Sequence, residues 1–323
     1  MIVDTGEAQE AFECLPGIRR IPSLSPAYAM VDCIGKPEGT TIHMLRRDAC
    51  GVLIKSVHET PLRYGEGSDW EAPYNYGGQI WSGNPDPLRW AAFDRVALDR
   101  GVIAEFRRSH PLGGPAPEET SASFSSSRQC VVVPLVQRDP DELLTPNART
   151  MIRKARRSGV RTVWGGMGDS DFPHRYRRAM EILAAAPQYY FSDQYFRALA
   201  DLGCVSYAEA QIDGVPVGSA IFLLGPAVAE YHLSELDSEG RKTGAMYLLL
   251  RDFIQAARAR GARLAFLGGG TNSDLRNPLF RFKQNFSPHT ATYRVSGHVF
   301  DQSSYRAQPP VASSAGRFIH YRE

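Results

Sequence analysis

The segment 204–270 carries the pattern that most limits how this chain can fold. Two runs of β-forming residues, CVSYAEAQI and VPVGSAIFLL, are separated only by Asp213-Gly214, which favours a two-residue hairpin turn. A third run, VAEYHLSEL, follows Gly225-Pro226, and apolar residues then recur at helical spacing from Thr243 until Gly261. The strand RLAFLGG comes next. The pattern predicts an antiparallel meander, a helix and a further strand, in the order β-β-β-α-β.

A fainter copy of this pattern lies in the first half of the chain. The runs TTIHMLRR, GVLIKSVHE and VIAEFRR predict strands, and PLRWAAFDRVALDRG predicts a helix before the last of them. Five residues around the end of this helix recur 160 positions later: Phe93, Ala97, Arg100, Gly101 and Phe106 match Phe253, Ala257, Arg260, Gly261 and Phe266. A tandem duplication of one α/β unit explains this match best. We therefore predict an N-terminal domain over 1–144, a C-terminal domain over 145–300, and a tail over 301–323 that can return to the N-terminal domain.

The residues between the two copies predict a loop and a basic helix. Segment 109–130 is rich in Pro, Gly and Ser, which is typical of a mobile loop or lid. After the strand CVVVPLV, Thr145-Pro146 suits the cap and first position of a helix that ends at Gly159. No acid occurs over 143–168, and a basic stripe without acids is what contact with a phosphate backbone needs; a solvated face is the open alternative. The helix carries five basic residues: Arg149, Arg153, Lys154, Arg156 and Arg157.

Composition sets the broad class of protein. An apolar content of 43% with 22% charged residues is typical of a globular protein, and the net charge of +2 neither favours nor excludes nucleic acid. No apolar run is long enough to span a membrane, and the amino end is acidic, so we expect a cytoplasmic protein and a monomer. The five cysteines are widely spaced, which predicts reduced, structural thiols and no metal site.

One lysine stands out. Lys283 is one of only five lysines, beside 32 arginines, and it lies among Phe280, Phe282 and Phe286 in LFRFKQNFSP. Burying an ammonium among aromatic rings is costly without a partner. This lysine therefore predicts a site for an anion, and the open alternative is a lysine that reaches from packed structure to the surface.

The C-terminal half resembles a known family. The segment YHLSELDSEGRKTGAMYLLLRDFIQAARARGARLAFLGGGTNSDLRNPLFRFKQNFSP is similar to the C-terminal signature of Fem-type aminoacyl-tRNA-dependent peptidyltransferases. APYNYGGQIWSG, RKARRSGV and FPHRYRRAMEILAAAPQYYFSDQYFRAL extend the resemblance in islands, and the Phe-Lys pair in FRFKQNF is its most specific element. The resemblance implies an α/β fold of two tandem GNAT-like domains, the acyl-CoA N-acyltransferase fold. Nothing here resembles the coiled-coil arm that some members insert.

The resemblance also implies site residues. In that family the Phe-Lys pair lies in the channel for the aminoacylated end of tRNA, which assigns tRNA binding to Phe282 and both tRNA binding and catalysis to Lys283. A phosphate needs a positive charge and an unstacked base needs an aromatic face, so the residue types suit this role. The resemblance places Tyr74, Tyr76 and Tyr231 at the acceptor and donor cleft, although tyrosine is also a favoured strand residue. The implied partners are aminoacyl-tRNA and a peptide or peptidoglycan-precursor acceptor, with no cofactor.

One departure separates this chain from acyltransferases that use acyl-CoA. Those enzymes hold pyrophosphate on the backbone amides of a glycine-rich helix start. Here the matching stretch is Arg241–Met246, and the long side chain of Met246 takes a position where close approach of a phosphate requires a very small residue. This favours tRNA over CoA without excluding CoA.

We therefore expect transfer of an amino acid from charged tRNA to an acceptor amine, on a peptidoglycan precursor or a peptide natural product. The ester is already activated, so no nucleophilic side chain is required. Proton transfer could use the ribose hydroxyl, a water, Asp274 or Glu235. Two alternatives stay open: an acyl-CoA-dependent N-acyltransferase on the same fold, and a non-catalytic RNA- or peptide-binding protein.

Overall fold

The chain forms two compact units. The first unit comprises Met1–Arg128 and Thr292–Glu323, and the second unit comprises Gln129–Ala291. The computed structural model describes residues 1–36, 38–83, 87–114, 122–168, 170–312 and 316–322.

The described chain contains thirteen strands and ten α-helices. The strands are β1 (Ile2–Val3), β2 (Thr40–Asp48), β3 (Gly51–Pro61), β4 (Ser68–Glu71), β5 (Gln79–Gly83), β6 (Val102–Ser109), β7 (Phe124–Pro134), β8 (Arg161–Gly165), β9 (Val205–Ile212), β10 (Val215–Leu224), β11 (Val228–Leu236), β12 (Leu264–Gly268) and β13 (Thr290–Val299). The helices are α1 (Thr5–Glu13), α2 (Pro26–Cys33), α3 (Pro87–Asp99), α4 (Pro146–Arg157), α5 (Phe172–Ile182), α6 (Asp193–Ala200), α7 (Ser238–Thr243), α8 (Ala245–Ala259), α9 (Pro278–Gln284) and α10 (Gln302–Ala307).

The second unit contains the predicted β-β-β-α-β element. Its strands pair in the order β8-β9-β10-β11-β12-β7, and β9, β10 and β11 form the expected antiparallel meander. Asp213 and Gly214 both have positive φ, at 49° and 80°, which is the backbone of a tight hairpin turn. Helix α8 then carries the chain to β12, which lies parallel to β11. The short helix α7, which precedes α8, has no counterpart in the sequence prediction.

The first unit repeats this arrangement. Its strands pair in the order β1-β2-β3-β4-β6-β13. Strand β5 pairs with the first part of β3, from Gly51 to Lys55. Strand β6 lies parallel to β4 and directly follows α3, just as β12 lies parallel to β11 and directly follows α8. The matching helices therefore precede equivalent strands of the two units, as the predicted duplication of one α/β unit requires. Both units have the GNAT-like α/β fold.

The last strand of each sheet comes from a distant part of the chain. Strand β7 follows β6 in sequence but pairs with β12, and β13 follows β12 but pairs with β6. The compact units accordingly divide at Arg128/Gln129 and Ala291/Thr292, whereas the sequence prediction places domain limits at 144/145 and 300/301. Which strand a segment will pair with is not encoded in its own local pattern.

The prediction of a loop over 109–130 is wrong for the second part of that segment, which forms a strand. Residues from Phe124 onwards belong to β7, which begins with Phe124 and three consecutive serines and continues to Pro134. The prediction of a lid at 115–121 falls outside the described residues.

The helix signals read from the sequence were accurate. Thr145 caps α4, since its side chain accepts from the backbone N–H of Ala148, and Pro146 is the first helical residue. The apolar stripe of α8 packs on the sheet, where Phe253 stacks on Phe222 of β10 with ring centroids 4.0 Å apart. This core fixes α8 and the meander that carry the site.

Candidate active site

The two central strands of the second unit separate partway along their length. Strands β11 and β12 are paired at Val228–Glu230, and the last pair joins Glu230 to Phe266. Beyond that pair, β11 continues along β10 and β12 continues along β7. Tyr231 and Gly268 therefore lie on backbones that diverge, and an opening forms between the two strands.

The equivalent point of the first unit is closed. There the last parallel pair joins Glu71 to Phe106, which is the residue that corresponds to Phe266. Two residues later stands Arg108, whose guanidinium donates to the carbonyl oxygens of Ala72 and Pro73. The corresponding residue of the second unit is Gly268, which has no side chain to fill the opening.

Lys283 lies at this opening. Helix α9 presents Phe280 and Lys283 on its buried side, at 3% and 7% exposure. Lys283 Nζ donates to the backbone oxygen of Gly269 at 2.8 Å and lies 5.5 Å from the ring centroid of Tyr231. The ammonium therefore lies close to Tyr231 on β11 and to Gly269, which directly follows β12. A lysine that reaches out to the surface does not fit this geometry.

The Lys283 ammonium has no carboxylate partner within the part of the chain that the structure describes. Burial lowers the pKa of Lys283 to about 8, and the nearby thiol of Cys130 opposes that shift only in part. The side chain is mainly protonated at neutral pH, but it holds a charge that the protein does not neutralise. Such a site attracts an anion or a developing negative charge.

Glycines allow the close packing around this lysine. A Cβ at Gly269 would lie 2.9 Å from the backbone oxygen of Gln129, and one at Gly270 would lie 2.5 Å from Asn277 Oδ1. Asn277 in turn caps α9 by accepting from the N–H groups of Leu279 and Phe280. The roles of Gly269 and Asn277 were not predicted, and the run of three glycines before the lysine was the only available signal.

The predicted site residues are partly brought together. Tyr231 lies beside Lys283; its hydroxyl is hydrogen-bonded to Ser234, and burial raises the pKa of Tyr231 to about 12. Phe282 is half-buried and packs edge-on against Tyr247, with ring centroids 4.9 Å apart. The tyrosines Tyr74 and Tyr76 lie in the loop between β4 and β5 of the first unit.

The loop of the first unit that carries these tyrosines is well anchored. The backbone N–H of Tyr74 donates to Asp32 Oδ2 at 2.7 Å. The ring of Tyr76 packs edge-on against Tyr293, with centroids 4.9 Å apart, and against His110 at 5.8 Å. The backbone of Tyr74 and the ring of Tyr76 are thus held in place.

The basic residues of α4 form an exposed face of the second unit. Ala148, Ile152 and Ala155 are buried on the opposite side of this helix. Arg149 donates to the backbone oxygens of Asp141 and Glu142, and Arg153 donates to Thr150. None of the five basic residues forms an ion pair with a carboxylate of the described chain. Their charge is available to an external partner.

The two carboxylates considered for proton transfer have different surroundings. Asp274 is exposed, and hydrogen bonds from the backbone and side chain of Arg276 lower its pKa. Burial raises the pKa of Glu235, which accepts from Ser219 Oγ at 2.5 Å and pairs with Arg175 at 3.1 Å. Glu235 is therefore the more basic of the two, but its oxygens already have partners.

The start of α8 is covered at the position where acyltransferases that use acyl-CoA hold pyrophosphate. Helix α7 continues up to Gly244, whose N–H donates to the oxygen of Gly240. The side chain of Met151 lies over Gly244, so that even a Cβ there would be 2.7 Å from Met151 Cε, and Met246 is buried. The backbone amides that would hold pyrophosphate are thus partly used and covered.

Comparisons with known proteins agree with this fold. Residues 146–284, from the start of α4 to the end of α9, match the family model described as Acetyltransferase (GNAT) domain. No curated protein matches the chain in sequence. The match covers most of the second unit and agrees with a GNAT-like fold for it.

Solved structures resemble the whole chain. FemX aligns over 95% of this chain and 98% of its own, with a TM-score of 0.65 at 12% identity. The C-terminal domain of a putative lysylphosphatidylglycerol synthetase from Agrobacterium fabrum aligns over 93% of each chain, with a TM-score of 0.55 at 13% identity. L-PGS from Bacillus licheniformis aligns over 79% of this chain and 84% of its own, with a TM-score of 0.52 at 14% identity. At these identities the likeness shows the fold.

No helix among the described residues is long and apolar enough to cross a bilayer.

Replacing Lys283 by Met should stabilise the protein. Folding lowers the pKa of Lys283 from 10.5 to about 8, which lowers the free energy of unfolding by about 3 kcal/mol at neutral pH. The substitution removes this cost, but it also removes the hydrogen bond to Gly269, which stabilises the fold by about 1 kcal/mol. We expect a net gain of about 2 kcal/mol in the free energy of unfolding, measured by denaturant titration. Because the unfolded state binds more protons between pH 8 and 10.5, wild-type stability should rise over that interval and that of the variant should not.

The control is Lys242→Met, which removes an exposed lysine from the same unit and should leave stability nearly unchanged. A Lys283→Met variant that is less stable than the wild type would show that Lys283 is a structural residue.

Proposed function

We propose that the protein transfers an amino acid from aminoacyl-tRNA to an acceptor amine and forms an amide bond. The observation that carries this proposal is the buried Lys283 ammonium, which lies without a carboxylate partner at the opening between β11 and β12. An acyl transfer develops negative charge on the carbonyl oxygen, and a fixed positive charge in a site of low dielectric constant stabilises it strongly.

The proposed reaction uses an ester that is already activated. The acceptor amine attacks the carbonyl carbon, a tetrahedral oxyanion forms, and the ribose hydroxyl leaves with a proton. Lys283 stabilises the oxyanion or holds a phosphate of the terminal nucleotides, and Phe282 and Tyr231 offer aromatic faces nearby. With a pKa of about 8, Lys283 can also supply a proton to the leaving oxygen.

Two features of the second unit favour tRNA over acyl-CoA as the donor. The start of α8 is occupied by Met151 and Met246 where pyrophosphate would bind. Helix α4 carries an exposed basic face without ion pairs to the described chain, which suits a phosphate backbone. The names of the structural neighbours are consistent with this donor: FemX bears the name of the Fem family, and lysylphosphatidylglycerol is a lysyl ester.

The acceptor in this proposal is a peptide, a peptidoglycan precursor or a peptide natural-product intermediate. Tyr74 and Tyr76 are proposed to orient it, because fixed aromatic rings with hydroxyl groups suit a peptide or a sugar. The second candidate function, an acyl-CoA-dependent N-acyltransferase, rests on the GNAT family match alone.

Lys283→Arg should change the pH profile of transfer. If the ammonium is required, the wild-type kcat should fall as pH rises above about 8, because Lys283 loses its proton there. The guanidinium stays charged over this range, so kcat of the Arg variant should be lower overall but without that alkaline decrease. The measurement is the rate of amide formation from charged tRNA at pH 6 to 10. An unchanged alkaline decrease in the Arg variant would assign the titration to another group.

Lys283→Met should distinguish the two roles of the lysine. Contact with the oxyanion predicts a loss of about 2 to 4 kcal/mol of transition-state stabilisation, seen in kcat. Contact with a phosphate alone predicts a higher KM for charged tRNA and a smaller change in kcat. Unchanged kcat and KM would remove Lys283 from the mechanism.

Replacing Arg153, Arg156 and Arg157 by Ala should weaken tRNA binding and reduce its salt dependence. Each phosphate contact contributes about 0.9 to the slope of log affinity against log salt for a duplex, so up to about 2.7 should be lost. The matched control removes the same charge elsewhere in the second unit, from the exposed Arg178, Arg197 and Arg260. Equal slopes in the two triple variants would mean that α4 has only a solvated face.

A further inference from the structure

One loop of the first unit is held by side chains from three other elements. The loop spans 72–78, between β4 and β5. Arg108 of β6 donates to the carbonyl oxygens of the first two loop residues. Asp32 of α2 accepts from the backbone N–H of Tyr74 at 2.7 Å, and Tyr293 of β13 donates to the backbone oxygen of the residue after it at 3.3 Å. The backbone of the loop is thus fixed at successive positions.

This anchoring maintains an uncommon backbone conformation. Asn75 has a φ of 68°, in the left-handed region that residues other than glycine seldom adopt. Such a conformation persists where the surrounding structure determines it, and it is frequent at functional sites. Space is also limited, because a Cβ at Gly77 would lie 2.7 Å from the backbone oxygen of Pro73. A Cβ at Gly78 would lie 2.5 Å from the backbone oxygen of Arg108. The loop therefore has little freedom to adopt another shape.

Three consecutive side chains of this loop reach the surface. Tyr74, Asn75 and Tyr76 are partly exposed, whereas the two residues on either side of them are buried. The side-chain amide of Asn75 has no hydrogen-bond partner within the part of the chain that the structure describes. A carboxamide between two phenol rings offers hydrogen-bond donors and an acceptor beside flat apolar faces, which suits a peptide group. The three side chains thus form a surface that can contact a peptide.

The carboxylate that holds Tyr74 is itself oriented by a buried histidine. His58 of β3 is fully buried, and its Nε2 donates to Asp32 Oδ2 at 2.8 Å. The same carboxylate oxygen accepts from the N–H of Tyr74. The other ring nitrogen of His58 lies 3.3 Å from Thr41 Oγ1, so the ring is held at both nitrogens. Hydrogen bonds to a carboxylate are stronger than those between neutral groups, and a buried carboxylate needs them. The N–H of Tyr74 therefore has a rigid acceptor.

We propose that Asp32, oriented by His58, is a positioning residue that preforms the surface of Tyr74, Asn75 and Tyr76 for a peptide that carries the acceptor amine. Asp32 is only 5% exposed and acts through the backbone of Tyr74. A surface that is already ordered binds a ligand at a lower entropic cost than one that must become ordered. That the bound peptide is the acceptor rests on the proposed function, whereas the rigidity of the loop does not.

Residue-resolved amide hydrogen exchange of the full chain tests the positioning role without any substrate. In the wild type the N–H of Tyr74 should exchange slowly, because it donates to a buried carboxylate. Asp32→Ala should speed this exchange at least about tenfold, since it removes a hydrogen bond to a charged group. Asp32→Asn keeps an oxygen at the place of Oδ2 and should retain most of the protection. His58→Phe should give an intermediate rate, because the carboxylate stays but loses its orientation.

The matched control is Asp48→Ala. The Asp48 carboxylate accepts from the backbone N–H of Cys50 at 2.8 Å in another turn of the first unit. Its removal should leave the exchange of residues 72–78 within about twofold of the wild type. Rapid exchange of the Tyr74 N–H in the wild type would overturn the proposal, whether or not the variants fold. Equal exchange in the wild type and in Asp32→Ala would overturn it as well.

The role in acceptor binding is tested with charged tRNA and a lysine-containing tripeptide as acceptor. Asp32→Ala should raise KM for the peptide about tenfold and leave KM for charged tRNA within about twofold, because only the peptide contacts the loop. Asp32→Asn should restore most of the affinity for the peptide. An equal rise of both KM values would mean that Asp32 serves overall stability and would contradict the positioning role. Absence of transfer by the wild type would instead count against the proposed function, and the exchange measurements do not depend on it.

Discussion

The buried ammonium of Lys283 is the interaction on which the account of this protein depends. A buried charged group whose neighbours are the Tyr231 ring and a backbone carbonyl lowers the stability of the fold unless an anion binds beside it. The surrounding structure holds it there. Gly270 allows the close approach of Asn277, Asn277 caps α9, and the divergence of β11 from β12 leaves space beside the lysine. A stability cost at a strand opening is typical of a functional site.

The two units show how one fold can be closed or open at the same point. After the last parallel pair, the first unit places Arg108, whose guanidinium holds the backbone of the following loop. The second unit has Gly268 there, and its charge comes instead from Lys283 on a separate helix. The strand end is therefore packed in the first unit and open in the second, although both units have the same arrangement of parallel strands at this point.

Much of the fold could be predicted from local patterns, because hairpin turns, caps and apolar stripes are encoded by neighbouring residues. The turn at Asp213-Gly214, the cap at Thr145 and the stripe of α8 are examples. The pairing of β7 with β12 could not be predicted, since it joins segments more than a hundred residues apart. For the same reason, neither the contact of His58 with Asp32 nor the backbone partner of Lys283 could be predicted. The roles of the basic helix and of the tyrosines stay predictions.

The most direct test of the central claim is to incubate the protein with a mixture of charged tRNAs and candidate acceptor amines and to identify products by mass spectrometry. The account predicts an amide product that carries one amino acid, together with loss of the ester from the matching tRNA. It also predicts that charged tRNA, and not CoA, raises the thermal stability of the protein. Stabilisation by CoA with acyl transfer from acyl-CoA, or tRNA binding without deacylation in the presence of any amine, would contradict it.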